Sequence, residues 1–247
     1  MILNFKTLNT IQIFKYKSKY MKYIKKILLN LSLIVLFLCT PTLAEENKAN
    51  IENYVVGDFK NRISKMDSYV AYFTQKEIDK DETYGAIIFK KNVGIRFNYF
   101  EPHPILLTIT KKNVYLYDYE MENLSIVKAS ESPIYFLLKQ DLDFDKNLRV
   151  TKATKDKNFY YIDLFHIDTE TTVSIVYNYS ENQIKSIDVL DHNKKNISII
   201  FEKTIKIDNI NTKIDNEIFK VKNPKIYGKP KRFDKNEIEK MYAKKLI

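Results

Sequence analysis

The residues best suited to chemistry are few in this 247-residue chain, and their spacing fits no familiar reaction. The three histidines are far apart, at His103, His166 and His192. No two of them have the helical spacing that would place a pair of metal ligands on one helix face. The sequence therefore predicts no metal site.

Acidic pairs and short motifs give no better candidate for catalysis. Asp79 with Asp81, and Asp143 with Asp145, lie in polar stretches typical of solvated turns rather than of a glycosidase dyad. No nucleophile-elbow, dinucleotide-binding or Walker motif occurs, and four glycines leave little room for a phosphate-binding loop. We therefore predict no catalytic residue, no cofactor and no enzymatic activity.

Residues 1–44 have the three parts of a cleavable signal peptide. The basic start consists of Lys22, Lys25 and Lys26. The apolar run over 27–38 is shorter than the roughly 20 residues of a membrane span. Thr42 and Ala44 have the spacing of the small residues before a cleavage site, so we expect the cut before Glu45. The chain is thus predicted to be exported to the periplasm, with an uncleaved anchor as the alternative.

The predicted signal also affects the start, the cysteine and the charge of the chain. Met21 would open a signal of normal length, so translation could start there. Cys39 would leave with the signal; lipidation is the alternative, although Leu38 precedes it where a lipoprotein signal needs a small residue. Residues 1–44 hold seven lysines and no acid, so the net charge falls from +10 to +3 on cleavage. This balance argues against a nucleic-acid partner.

Beyond the signal, the hydrophobic pattern changes from a helical period to an alternating one. Apolar residues recur at helical spacing from Asn50 to about Met66, which predicts an amphipathic helix. Alternating runs separated by short polar loops then predict antiparallel strands. These runs lie at about 68–79, 83–91, 94–100, 104–111, 113–119, 123–129, 148–155, 158–166, 171–179, 183–190 and 195–205, with a short one near Phe219–Val221.

Two further helices are predicted between and after the strands. Ser132 and Pro133 form an N-cap and first-turn pair for a short helix that ends near Gln140. Another helix is predicted from about Lys235 to Leu246. A sheet of this size must either close or have its apolar face covered. We therefore predict a mainly β fold, an incomplete (open) antiparallel β-barrel of about eleven strands with two or three helices forming a lid over the concave apolar face.

Several segments occur in an order that resembles a known family. They are Phe73-Thr74-Gln75, Ile95-Arg96-Phe97, Tyr115-Leu116-Tyr117-Asp118, and Phe219 followed by Pro224. Their order and spacing resemble the periplasmic outer-membrane lipoprotein carrier family, LolA, from about Asn50 to Tyr227. The resemblance implies an open half-barrel with helices on its open side, which agrees with the predicted elements.

The resemblance also implies a function. The protein would bind the acyl chains of lipoproteins released by an exporter complex in the inner membrane, and would deliver them, as a monomer, to an acceptor lipoprotein in the outer membrane. One alternative is a half-barrel lipid-binding or envelope-sensing protein with a different amphiphilic ligand. A purely structural envelope protein is a third possibility.

Residue roles follow from the same resemblance. Lys91 matches the position with which the family latches its lid, although the family usually has arginine there; a solvated hairpin lysine is the alternative. Ile95 matches an inward-facing apolar position important for receiving cargo. The residues expected to line the acyl-binding cavity are Phe73, Ile95, Phe97, Tyr99, Phe136 and Leu137. Alternating aromatic residues are also ordinary core in β proteins.

The predicted organisation of the chain has three parts. Residues 1–44 are the signal peptide, 45–227 the half-barrel domain and 228–247 a basic C-terminal tail that could be helical. The tail is interpreted either as a mobile solvated end or as a segment attracted to an anionic membrane surface or to an acidic patch on a partner.

Overall fold

The computed structural model describes residues 43–139, 147–206 and 214–243. The chain divides into two compact units, residues 1–49 and 50–247, and the fold described below belongs to the second. Residues 1–42 hold most of the predicted signal peptide and lie outside the described residues, so its cleavage stays a prediction. Helix α1 spans Leu43–Ser64 and begins earlier than the predicted helix.

Eleven antiparallel strands form one sheet in the described part of the chain. They are β1 Ser68–Glu77, β2 Thr83–Lys90, β3 Gly94–Tyr99, β4 Ile105–Thr110, β5 Asn113–Asp118, β6 Asn123–Lys128, β7 Leu148–Asp156, β8 Phe159–His166, β9 Thr171–Asn178, β10 Gln183–Leu190 and β11 Asn196–Lys206. Their order is β6-β5-β4-β3-β2-β1-β11-β10-β9-β8-β7. Within the described residues the edge strands β6 and β7 do not pair, so the sheet stays open. The predicted fold class is confirmed.

The inner face of the sheet is the one that packs against helix α1. Val55, Phe59 and Ile63 form a stripe at four-residue spacing along α1, and all three are fully buried. A 3₁₀ helix, Tyr135–Leu138, lies in the same apolar cluster. Burial of apolar surface is the main stabilising term in such a contact. We call α1 from Asn50 onward, together with this 3₁₀ helix, the lid.

The short helix predicted to begin at Ser132 is present, but it begins later and its predicted cap is wrong. The segment forms the 3₁₀ helix, and Ile134 occupies the N-cap position without a side-chain hydrogen bond. Phe136, Leu137 and Leu138 are consecutive and all buried, a pattern that one face of a regular α-helix cannot provide. Tertiary contacts therefore decide the conformation of this segment. Residues 140–146 lie outside the described range.

The C-terminal segment packs against the opposite, outer face of the sheet. The predicted strand near Phe219–Val221 is wrong, since Asn216–Phe219 is a 3₁₀ helix whose Asp215 side chain accepts a hydrogen bond from the Glu217 amide at 3.0 Å. The Phe219 ring lies so close over Gly94 that a Cβ there would be 2.6 Å from it. This contact places the segment across the sheet. The outer cluster consists of Val70, Ala86, Ile88, Phe219, Phe233 and Ile238.

A buried arginine holds this outer layer on the sheet. The alternation along β3 suggests that Arg96 faces solvent, yet it is 2% exposed. Its guanidinium donates hydrogen bonds to the main-chain carbonyls of Ile218 (2.6 Å) and Lys231, and it stacks 4.6 Å from the centre of the Phe233 ring. Burial lowers the pKa of Arg96 to about 10. Each of these contacts ties β3 to the C-terminal segment.

The basic tail continues this packing as far as it is described. Helix α2 spans Pro224–Tyr227 and helix α3 spans Lys235–Ala243, which confirms the start of the predicted C-terminal helix. Phe233 and Ile238 are buried, so residues 228–241 are not a mobile solvated end. Residues 244–247 lie outside the described range, and the domain boundaries proposed from the sequence stay predictions.

Candidate functional site

The six residues expected to line the cavity all belong to the inner-face cluster. Phe73, Ile95, Phe97, Phe136 and Leu137 are almost completely buried, and the partly buried Tyr99 packs against them. The structure thus brings together side chains from β1, β3 and the 3₁₀ helix. That these side chains bind acyl chains stays a prediction.

A glycine allows the aromatic side chains of this cluster to meet across a strand. Gly85 on β2 pairs with Phe73 on one side and with Tyr99 on the other. The Phe73 ring crosses over Gly85 and makes edge contacts with the rings of Phe97 at 5.4 Å and Tyr99 at 5.1 Å. A Cβ at Gly85 would lie 2.6 Å from the Phe73 ring and 2.4 Å from the Asn98 carbonyl oxygen. The absence of a side chain here is therefore a requirement of the packing.

Lys91 connects both parts of the lid to the turn between β2 and β3. Its Nζ donates hydrogen bonds to the carbonyl oxygens of Ile63, in the last turn of α1, and of Leu137, in the 3₁₀ helix, each at 3.0 Å. The side chain is buried, so the interpretation as a solvated hairpin lysine is wrong. Burial lowers the pKa of Lys91 to about 8. A cation beside the C-terminal carbonyls of a helix also interacts favourably with the helix dipole.

A second polar contact, which the sequence analysis missed, anchors α1 to the other half of the sheet. Arg62 donates to Asp58 (2.6 Å) and to the Tyr179 carbonyl (2.9 Å), and the Tyr160 hydroxyl donates to the same Asp58 oxygen at 2.7 Å. Burial alone would raise the pKa of Asp58, but the hydrogen bonds from Tyr160 and Arg62 lower it overall. The four-residue spacing of Asp58 and Arg62 is the sequence signal that could have indicated this contact.

An open cavity of about 270 Å³ lies at the end of β3 that is remote from Lys91. Tyr99, Ile105, Leu107 and Leu116 form its apolar part. Its polar part consists of Gln75, Glu77, Lys80, Asp81, Thr83 and His103. The Tyr99 hydroxyl donates to Gln75 at 2.7 Å, which fixes the ring between the two parts. An apolar floor with a polar rim can accept an amphiphile whose head remains near water.

Among the described residues that were considered for chemistry, His103 and Asp81 both line this cavity. Asp79 and Asp81 belong to the turn region after β1, whereas Asp143 and Asp145 lie outside the described residues. Among residues 43–139, 147–206 and 214–243, no three His, Cys, Asp or Glu side chains are grouped as metal ligands would be. None of the helices in these ranges has the length and apolarity needed to cross a membrane.

This protein is a half-barrel: its antiparallel sheet is open, and α1 and a 3₁₀ helix cover the apolar inner face. The family described as outer membrane lipoprotein carrier protein LolA matches residues 64–222. The chain belongs to this LolA family.

One curated relative and two solved structures are similar to this chain. The chain is 33% identical over 220 residues to the uncharacterized protein RP864 of Rickettsia prowazekii (strain Madrid E). The matched region covers 89% of this chain and 98% of that relative. A LolA superfamily protein from Nitrosomonas europaea, NE2245, is 10% identical with a TM-score of 0.41, over 68% of this chain and 98% of that one. An uncharacterized conserved protein from Thermus thermophilus is 12% identical with a TM-score of 0.39, over 64% and 90% of the two chains.

Proposed function

We propose that this protein is a non-enzymatic periplasmic carrier that binds the acyl chains of lipoproteins leaving the inner membrane and delivers them to an acceptor in the outer membrane. Its partners would be the acylated lipoproteins, an inner-membrane exporter complex and an outer-membrane acceptor lipoprotein. The observation that carries the proposal is an apolar inner face covered by a lid that one buried lysine, Lys91, fastens at two points. Family membership supports it.

The lid solves a problem that any acyl carrier has when it is empty. Each methylene removed from water contributes about 0.8 kcal/mol, so a chain of about sixteen carbons needs a site worth roughly 12 kcal/mol. A site of that strength exposes a large apolar surface unless something covers it. Val55, Phe59 and Ile63 of α1 provide such a cover by packing into the inner face. Acyl chains would replace these side chains when the lid moves away.

The fastening of the lid is suited to opening. Main-chain carbonyls accept both hydrogen bonds of Lys91, so release of this latch requires only that one side chain lose its partners. Arg62 also lies in the last turn of α1 and donates to the Tyr179 carbonyl, so this second contact would have to break too when that end of α1 moves away. Lys91 is thus proposed as the latch, and the six inner-face residues as the lining of the opened cavity.

The size of the cavity supports one second candidate. About 270 Å³ lies just below the roughly 300–1,000 Å³ of typical ligand sites. With the lid closed, this space suits part of one acyl chain and not a triacylated lipoprotein. A lipid-binding or envelope-sensing protein with a smaller amphiphile would need less lid movement.

Analysis of the bound cargo distinguishes these functions. The protein would be purified from the periplasm under native conditions, and the molecules extracted from it identified by mass spectrometry. We expect triacylated lipoprotein; a free lipid would support the second candidate, and no ligand would refute both and favour a structural role.

A matched pair of variants locates the cargo site. Leu107→Lys places a charge in the half-buried wall of the cavity, whereas Leu190→Lys places it at an exposed position on β10. We expect cargo to be lost from the first variant and retained by the second. Equal retention in both would exclude cargo binding in this cavity.

A further inference from the structure

A single helical turn projects from the outer face between two buried anchors. Helix α2, Pro224–Tyr227, lies between Phe219 and Phe233, which are 2% and 4% exposed. In contrast, its own Ile226 and Tyr227 are 70% and 68% exposed. These two adjacent apolar side chains, held in water by an anchored segment, form a candidate contact surface.

The turn is preformed by its local sequence. The Asn223 side chain caps its start by accepting a hydrogen bond from the Lys225 amide at 3.0 Å, and Pro224 fixes the first helical residue. Gly228, with a φ of +79°, ends it and donates to the Pro224 carbonyl at 3.0 Å. Presentation of the two side chains therefore does not depend on ordering a flexible loop.

The surroundings of this turn are basic. Residues 218–233 contain six Lys or Arg and no acid. Four of these cations form exposed ion pairs with glutamates, at Lys220, Lys229, Lys231 and Arg232. Among the residues that the structure describes, Lys222 and Lys225 form no ion pair, and Lys222 lies 5.4 Å from the centre of the Tyr227 ring. The two lysines without carboxylate partners are thus the ones beside the apolar pair.

We propose that Ile226 and Tyr227, with Lys222 and Lys225, dock the protein on an anionic membrane surface. Tyrosine favours the level of the lipid headgroups, an aliphatic side chain can enter the acyl boundary, and lysines are attracted to anionic phosphates. A stable protein interface needs about 20–30 residues on each side, far more than this turn offers. The charge and the small size of the patch therefore fit a lipid surface better than an acidic protein.

The contact is expected to be weak and reversible. Each lysine near an anionic surface strengthens binding about fivefold, so Lys222 and Lys225 together contribute about 25-fold. Such docking would bring the protein to a bilayer without inserting it. The inference goes beyond the proposed function and does not depend on the identity of the cargo.

The test is cosedimentation with lipid vesicles of the protein recovered from the periplasm. Wild-type protein is expected to bind vesicles that contain phosphatidylglycerol and not to bind vesicles of pure phosphatidylcholine. It should dissociate from the anionic vesicles as the salt concentration is raised. Lys222→Glu with Lys225→Glu should weaken binding at least about 25-fold, and Ile226→Ser with Tyr227→Ser should also reduce it strongly. All four side chains are exposed, so these variants should fold.

Matched controls change the same chemistry elsewhere on the surface. Ile78→Ser removes an apolar side chain that is 68% exposed in the turn after β1. Lys111→Glu with Lys112→Glu reverses two exposed charges between β4 and β5. Both controls should bind as wild type does. The proposal is overturned if wild type does not bind anionic vesicles, if it binds neutral vesicles equally, or if the α2 variants behave like the controls.

Discussion

Replacement of Lys91 by methionine tests whether this side chain fastens the lid. Methionine keeps much of the apolar stem and removes the ammonium. The change deletes the hydrogen bonds to the Ile63 and Leu137 carbonyls. A hydrogen bond with a charged partner contributes about 1.5–3 kcal/mol, so the gross loss is about 3–6 kcal/mol.

The cost of burying the ammonium reduces this loss. A pKa lowered from 10.5 to about 8 corresponds to about 3 kcal/mol. The closed lid should therefore lose about 1.5 kcal/mol in Lys91→Met, which shifts the equilibrium between open and closed lids about 12-fold. Lys91→Arg retains charge and donors and should keep the lid closed more nearly as wild type does.

The assay is the binding of the uncharged dye Nile red to the exposed inner face, together with hydrogen exchange of the amides of α1. Lys91→Met should bind more dye, and amides near Ile63 should exchange faster. Lys90→Met is the matched control, because Lys90 donates to the Ile214 carbonyl (2.7 Å) and to Asn216 (2.6 Å) outside the lid. Unchanged dye binding in Lys91→Met, or an equal increase in Lys90→Met, would refute the latch.

Three further predictions concern Lys91, Gly85 and Asp58. The pKa of Lys91 is about 8 with the lid closed and returns to its usual 10.5 with the lid open. The closed lid should therefore become more stable as the pH rises from about 8 towards 10.5, and less stable as the pH falls back through 8. Nile red binding to wild type should decrease as the pH rises over this range, whereas binding to Lys91→Met should not depend on pH in this way. Gly85→Ala should lower the free energy of unfolding by about 1–3 kcal/mol in urea titrations, because the new Cβ would overlap the Phe73 ring. Gly57→Ala is the control: a Cβ there would have nothing within 4 Å, so the change should be neutral or stabilising by up to about 1 kcal/mol. Equal effects of the two changes would show that close packing at Gly85 does not matter for stability. Asp58→Asn should lower the free energy of unfolding by about 1 kcal/mol at pH 7. Because the pKa of Asp58 is lowered in the folded state, the difference in stability between wild type and variant should shrink as acidification protonates this carboxylate. A stability difference that persists in acid would exclude a contribution from the charged contact.

Local features of the sequence predict most of the individual elements. The eleven strands begin and end close to their predicted limits because side chains alternate between two faces of a strand and polar turns interrupt that alternation. The stripe of Val55, Phe59 and Ile63 likewise predicts the buried side of α1. Both signals depend on residues that are close in the sequence.

Lys91 is a residue whose burial the local sequence does not predict. Its sequence context allows a solvated hairpin side chain or a latch, because burial depends on α1 and the 3₁₀ helix, which are distant in the chain. The resemblance to the LolA family favoured the latch, and the structure shows the two carbonyl contacts on which that role would depend.

The sequence alone thus determined the approximate strand count and the amphipathic helix, and its resemblance to the LolA family pointed to the six residues that the inner face brings together. The exported-type N-terminus stays a prediction. The tertiary structure decided which polar residues are buried. Arg96 alternates with apolar neighbours as a solvent-facing residue would, but the C-terminal segment covers it and supplies carbonyl acceptors. Alternation assigns a side chain to a face of the sheet, whereas only long-range packing determines whether water or protein covers that face.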